Sequence, residues 1–386
     1  TERGSGRNSR VLAGKATKGS KTNPNPFSVR KEIRSLSKDE LDSYFSALLK
    51  WQNGHVPSNV SAFPNQATFI ALHAASVNYH DVHGEQDRMH FGDHFIVIHA
   101  LMMLEFEKAL QYYDPHVAAH YWDWSHDPKE IFNADYVGEN DENGTIINGC
   151  LKDWPITLIS QVVDELSVES RMDWPTNPAP TNSSGNYCVD PLEVDASTLL
   201  RGRESTPNGS KILGRIVDLG DNVIPEPANS EQVTVCLNKQ TFKEHWCCVF
   251  YTEGTNIDCD VSKDSENNLH GLVHFWSGGY QSAFQPYKFD GADLSTSPND
   301  PIWFLHHSQV ERIHQAWQLT TGEKVATKDD PCGKYYVDGM VNVRFHGIND
   351  KFYPTVKQWD GVSSTPKEAC AFLYRGSSIY KYDSFP

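Results

Sequence analysis

Apolar residues recur along this chain at helical spacing in several separate stretches. Between 38 and 51, Leu41, Tyr44, Leu48 and Leu49 follow Ser37 and Glu40, an S-x-x-E pattern in which side chain and backbone cap each other. The spacing predicts a helix over 38–51. Helices are also predicted over 66–79 and 94–112, the second with apolar residues on almost every face, as befits the middle of a core. Residues 125–230 read as loop-rich, with Pro, Asn, Ser and Gly clusters around 174–186 and 205–229, one helix near 154–168 and short strands. Further helices are predicted over 239–252, 266–277 and 300–320, followed by short strands and turns over 325–386. Asp300 before Pro301 is a natural start for the helix it opens, since an acid at the cap accepts backbone N–H bonds. Residues 1–28 are rich in Gly, Ser, Lys and Arg without apolar periodicity, which predicts a flexible basic leader. The fold class is therefore mainly α, with long loops and short peripheral β-strands.

Two of these stretches carry candidate chemistry. In LHGLVHFWSGG the spacing of four puts His270 and His274 one above the other on a helix face, and His307 in DPIWFLHH completes a three-nitrogen set. Upstream, His73, His90 and His99 repeat the chemistry with less regular spacing, and His80 and His83 lie on the same stretch as alternatives to His73. Three neutral imidazoles without thiolate or carboxylate suit copper, zinc, nickel or iron, so ligand type alone does not choose. His94, His306 and His314 are read as structural neighbours that help orient the ligands.

Composition narrows the partners. The chain has 386 residues and a net charge of −16, which argues against nucleic acid or an anionic membrane as partner. No apolar run approaches the ~20 residues that span a bilayer. Eight cysteines form an even set without C-x-x-C pairs, which predicts disulfides over a zinc cluster. Sequons at Asn59, Asn143, Asn182 and Asn208 are expected to carry N-glycans. The chain starts at Thr1 with neither methionine nor an apolar signal region, as expected of a mature secreted protein. The predicted localisation is extracellular.

From residue 29 to 383 the chain resembles the type-3 copper proteins, the family of tyrosinases, catechol oxidases and molluscan haemocyanin units. The likeness rests on H-x-x-x-H followed by S-P-N-D-P-x-W-F-L-H-H, on Tyr121, Trp122, Asp123 and Trp124, and on VRKEIRSLS. It rests also on His99 eight residues before Glu107, His90 nine before that, and Tyr380 and Tyr382 of YKYD. The resemblance implies an antiparallel four-helix bundle holding two copper ions, with dioxygen as co-substrate and a small phenol as substrate. It implies His73, His90, His99, His270, His274 and His307 as the metal ligands, within one domain over 29–386 that lacks a C-terminal lid. Arg30 is expected to pair with Asp300 as a structural tie, and the Tyr121–Trp124 signature to pack in the core with Asp123 hydrogen-bonded.

The implied activity is oxidation of o-diphenols to o-quinones, with monophenol hydroxylation left open. Two residues bear on that choice. Ser297 stands where some catechol oxidases place a bulky side chain over one copper, so approach is expected to be open. Gly271 replaces an asparagine proposed to orient a water that deprotonates monophenols, and its acidic partner is Glu253 or Glu266. Around the first set, Ile98 and Ala100 flank His99 unusually, and Arg88 stands where many members carry a cysteine joined to the ligand, so no thioether forms. A haemocyanin-like oxygen-binding unit and a copper-deficient binding or structural relative are the alternative readings.

Overall fold

The structure is a computed structural model that describes residues 28–77, 79–81, 84–87, 89–90, 94–141, 144–157, 172–173, 226–250, 268–278, 290–293, 295–320, 352, 355–356, 363, 365–373 and 379–386. Eight helices lie among them: α1 (Lys38–Gln52), α2 (Gln66–Val77), α3 (His94–Tyr113), α4 (Ser230–Leu237), α5 (Phe242–Phe250), α6 (Leu269–Gly278), α7 (Ile302–Thr320) and α8 (Pro366–Leu373). The strands are two or three residues long: β1 (Ser28–Arg30) pairs parallel with β6 (Tyr380–Tyr382), β2 (Tyr79–Asp81) antiparallel with β3 (Gly84–Gln86), and β4 (Met172–Asp173) antiparallel with β5 (Thr355–Val356). The protein is helix-rich, and no described helix is long and apolar enough to cross a membrane.

The expected capping box is present: Ser37 accepts from Glu40 N–H while Glu40 accepts from Ser37 N–H. The buried stripe of α1 is Leu41, Tyr44, Phe45, Ala47, Leu48 and Trp51, whereas Leu49 is 51% exposed. One position past Leu48 rotates the side chain by about 100°, off the inward face. Helix α3 is buried at nearly every position from His94 to Leu110, as its uniform apolarity requires. Phe106 of α3 stacks on Phe304 of α7 at 4.2 Å, with the Trp51 ring edge-on to both. At the head of α7, Asp300 accepts from Ile302 N–H at 3.0 Å, so the predicted cap forms.

That cap also explains a correction. Arg30 does not pair with Asp300, whose carboxylate is engaged at the helix start; its guanidinium instead bridges Glu107 of α3 (2.9 Å) and Glu311 of α7 (2.7 Å). Its guanidinium carbon lies 3.5 Å from the centre of the Tyr380 ring, and Tyr382 donates to Ser308 O at 2.9 Å. Tyr380 donates to Glu311 as well. Arg30 is fully buried, and burial pushes the Glu311 carboxyl above its ordinary range against the pull of the arginine. The Tyr121–Trp124 segment packs as expected, with Asp123 accepting from Ser125 Oγ (2.6 Å), Gln309 Nε2 (3.0 Å) and Arg312 Nη1 (3.1 Å).

Other expectations need adjusting. The helix predicted over 239–252 is α5, which starts where Thr241 and Glu244 cap each other, whereas α4, over Ser230–Leu237, is a helix the prediction lacks. Within 325–386, Thr365 caps α8, a helix in place of strands or turns. Residues 154–157 are not helical, and the rest of the helix expected to 168 lies outside the described residues, as do residues 1–27 of the leader. A disulfide joins Cys236 to Cys248, and Cys247 and Cys370 are also disulfide-bonded. Cys150, however, is an exposed free thiol among the described residues, so not all eight cysteines pair. Asn59 is exposed, while Asn143, Asn182 and Asn208 lie outside the described residues.

His120 links this core to solution pH. Its Nδ1 accepts from Lys31 N–H at 3.1 Å, and burial holds its pKa down to about 4. The unfolded chain therefore binds a proton near pH 6.5 that the folded chain refuses until about pH 4. This contribution is complete above pH 6.5 and declines as pH falls towards 4, by about 3 kcal/mol in all. His120→Gln, which accepts the same bond without titrating, is expected to flatten that part of the stability–pH curve, read from urea midpoints between pH 4 and 7.

Candidate metal centre

Helices position five of the six predicted histidines: His73 on α2, His99 on α3, His270 and His274 on α6, and His307 on α7. His90 is on a turn just before α3. They assemble into two groups, His73–His90–His99 and His270–His274–His306–His307, each with its candidate donor atoms within 4.8 Å of one another. The side chains of His80 and His83, and residues Glu253 and Glu266, lie outside the described residues.

Hydrogen bonds fix which nitrogen offers a lone pair in four of the six rings, His73, His90, His99 and His274. His73 Nδ1 faces Ser295 O (3.2 Å), His99 Nδ1 faces Phe95 O (2.6 Å) and His274 Nδ1 faces Gly291 O (2.9 Å). A carbonyl oxygen only accepts, so each Nδ1 carries the proton and each Nε2 offers a lone pair. His90 is set the same way by the Asp87 carboxylate, 2.9 Å from its Nδ1. The Nε2 atoms of His73 and His99 are buried without a hydrogen-bond partner, a costly state for a lone pair unless a cation meets it. In the second group His274 Nε2 lies 3.0 Å from His270 Nε2 and 3.3 Å from His307 Nε2. Three nitrogens about 2.0 Å from one ion at near-tetrahedral angles are about 3.3 Å apart, so this set fits a metal.

Burial, and after it the neighbouring imidazoles, hold His73, His99, His270 and His307 well below the ordinary histidine pKa, which keeps them neutral. His306 is set apart by its tautomer. Trp124 Nε1–H donates to its Nδ1 at 3.1 Å, leaving the proton on Nε2 and no lone pair for an ion. The His94 ring packs edge-on to Phe352, and His314 stacks near Trp317, consistent with structural roles.

The groups face each other. His99 stacks on His307 at 4.5 Å between ring centres, and His90 lies 6.2 Å from His270. Trp303 stacks on His307 at 3.9 Å, while Phe95 and Phe250 pack against His270. These aromatic walls fix ring orientation and keep the space between the groups apolar. Ile98 and Ala100, unusual neighbours in sequence, are buried core residues that leave His99 directed into its group.

Ser297 and His274 line the same small pocket, together with Ser277, Asp300 and His306. At Gly271 the backbone N–H donates to Asn268 Oδ1 at 3.0 Å, and a Cβ there would fall 2.5 Å from Asn268 Nδ2. Glycine at 271 thus lets Asn268 fold over the first turn of α6 as its cap. Sequence reasoning missed Asn268 and Asp87, although N-x-x-G before the helix and D-x-x-H before the ligand are local patterns that mark them. The carbonyls of Ser295 and Gly291 left no signal, because a backbone acceptor has no residue type.

Residues 65–320 match the family model described as the common central domain of tyrosinase. The chain is 26% identical over 300 residues to a tyrosinase of Streptomyces antibioticus, covering 76% of this chain and 83% of that protein. It is 22% identical over 376 residues to tyrosinase-like protein 2 of Margaritifera margaritifera, covering 92% of this chain and 62% of that one. In fold it is similar to a polyphenol oxidase variant from Thermothelomyces thermophila, with a TM-score of 0.56 at 18% identity over 93% of this chain and 89% of that chain.

Proposed function

This chain belongs to the tyrosinase family of type-3 copper oxidoreductases, which use two copper ions and dioxygen, and from that premise we propose that it oxidises o-diphenols to o-quinones. His73, His90 and His99 hold one copper and His270, His274 and His307 the other, with α2, α3, α6 and α7 forming an antiparallel bundle around them in one domain over 29–386. The observation that carries this reading is the stacking of His99 on His307 at 4.5 Å, which brings two buried nitrogen triads face to face.

When bound, the two ions supply the one-electron steps by which two catechols pass four electrons to one dioxygen, giving two quinones and two waters. The protein's own part is positional. Main-chain carbonyls and Asp87 hold the protons of His73, His90, His99 and His274 on Nδ1 and aim their Nε2 lone pairs inward. Phe95, Phe250 and Trp303 exclude water, and Ser297, lining the same small pocket as His274, places a short side chain where a bulky one would narrow the approach further. With glycine at 271 no side chain extends there to orient a deprotonating water, which favours diphenols over monophenols. The exposed Asn59, with Asn143, Asn182 and Asn208, carries N-glycans on a secreted protein.

Copper analysis of the purified chain together with oxygen-electrode assays of a catechol and its matching monophenol tests the reading. Two coppers per chain, quinone from the catechol and a markedly slower monophenol reaction are expected. Fewer than two coppers would favour the copper-deficient relative. Two coppers with reversible oxygen uptake and no quinone would favour the oxygen-binding unit.

A further inference from the structure

His90 is held differently from the other five candidate ligands. Three of those rings rest their Nδ1 on main-chain carbonyls, and none of the five has a carboxylate at Nδ1 among the described residues. His90 Nδ1 instead meets Asp87 Oδ2 at 2.9 Å. The other oxygen of the same carboxylate, Oδ1, accepts the N–H groups of Met89 (2.8 Å) and His90 itself (2.9 Å). Asp87 is 4% exposed and His90 2%. Two backbone donors on one oxygen and the ring on the other leave the carboxylate little freedom to turn away.

The location explains the need. The other five rings project from helices, whose backbone dictates side-chain direction; His90 is on a turn before α3, where no ladder of hydrogen bonds does so. A ligand on irregular backbone requires its own brace, and Asp87 ties turn and ring together in one contact. A carboxylate also differs from a carbonyl in kind. It brings a formal negative charge to the far side of the imidazole, which makes the ring a stronger donor and favours the more highly charged state of a bound ion.

We propose that Asp87 is a positioning residue that fixes His90 and biases the His73–His90–His99 site towards copper(II) over copper(I), making the two coppers inequivalent. The proposal rests on the assignment of these three histidines as a copper site.

The test titrates copper(II) and, separately, copper(I) against competing chelators into the metal-free full chain, comparing wild type with Asp87→Asn, Asp87→Ala and His90→Ala. Asp87→Asn keeps the side-chain shape and one of the two acceptor oxygens while removing the charge. It is expected to weaken copper(II) binding at one site about 10–100-fold while changing copper(I) binding much less. Asp87→Ala is expected to weaken both ions, and His90→Ala to lose one copper. Parallel loss of both ions in Asp87→Asn would reduce Asp87 to a packing role and overturn the proposed bias. Wild-type copper binding in both Asp87 variants, with His90→Ala losing one ion, would overturn the proposal and leave the site assignment standing. Two coppers bound at wild-type affinity by His90→Ala would instead overturn the assignment. Thermal midpoints of the metal-free variants identify one that has failed to fold; in that event the Asp87→Asn ratio of the two affinities decides.

Discussion

Replacing His307 with alanine is expected to reduce copper from two ions per chain to one and to cut catechol oxidation about a thousandfold or more, some 4 kcal/mol of barrier. His307 occupies the middle of the centre. Its Nε2 is 3.3 Å from that of His274, its ring stacks on His99 of the opposite group at 4.5 Å, and Trp303 stacks against it at 3.9 Å. Without it the second set retains only His270 and His274, and the stack that spaces the two groups is gone. The fold is expected to persist, because the ring contributes no described hydrogen bond from Nδ1 and α7 runs on for three further turns. Elemental analysis and an oxygen electrode check the result. Retention of two coppers with activity within tenfold of wild type would remove His307 from the ligand set.

Arg30→Ala carries the largest expected loss of stability, about 3–5 kcal/mol. The side chain is fully buried between Glu107 and Glu311, and its removal leaves two carboxylates in the core without their counter-charge. Glu107 lies two turns beyond His99 on α3, and Glu311 one turn beyond His307 on α7, so the arginine sets the spacing of two ligand-bearing helices. Copper affinity should fall together with the urea midpoint. Combining Arg30→Met with Glu107→Leu and Glu311→Leu should cost less than the single alanine, since no charge is then stranded. Equal midpoints for Arg30→Ala and wild type would show that the clamp holds nothing.

Local signals account for what was legible in the sequence. Ser37 and Glu40 cap α1, Asp300 caps α7, and the spacing of four brings His270 and His274 together, because each depends only on residues within a turn. Asn229 with Gln232 is an equally local mark, and it opens α4, a helix that the sequence reading leaves out. Non-local partners were less legible. Arg30 was assigned to Asp300, whereas it meets two glutamates, each placed by helix packing and strand pairing that no short pattern encodes. The ligand histidines could be named from resemblance, but not the carbonyls of Ser295, Phe95 and Gly291 that set their tautomers.

Strand β1 pairs with β6, and Arg30 contacts a tyrosine 352 positions further along. Closing so long a loop is slow by topology, and a ribosome adding about 5–20 residues per second exposes Arg30 well before Tyr382 exists. Arg30 can meet Glu107 and Glu311 once α7 exists, but β1, the strand that carries it, is unpaired until β6 is made. Biosynthesis therefore imposes an order of events: the strand that carries the buried arginine gains its pairing partner among the last residues to be made.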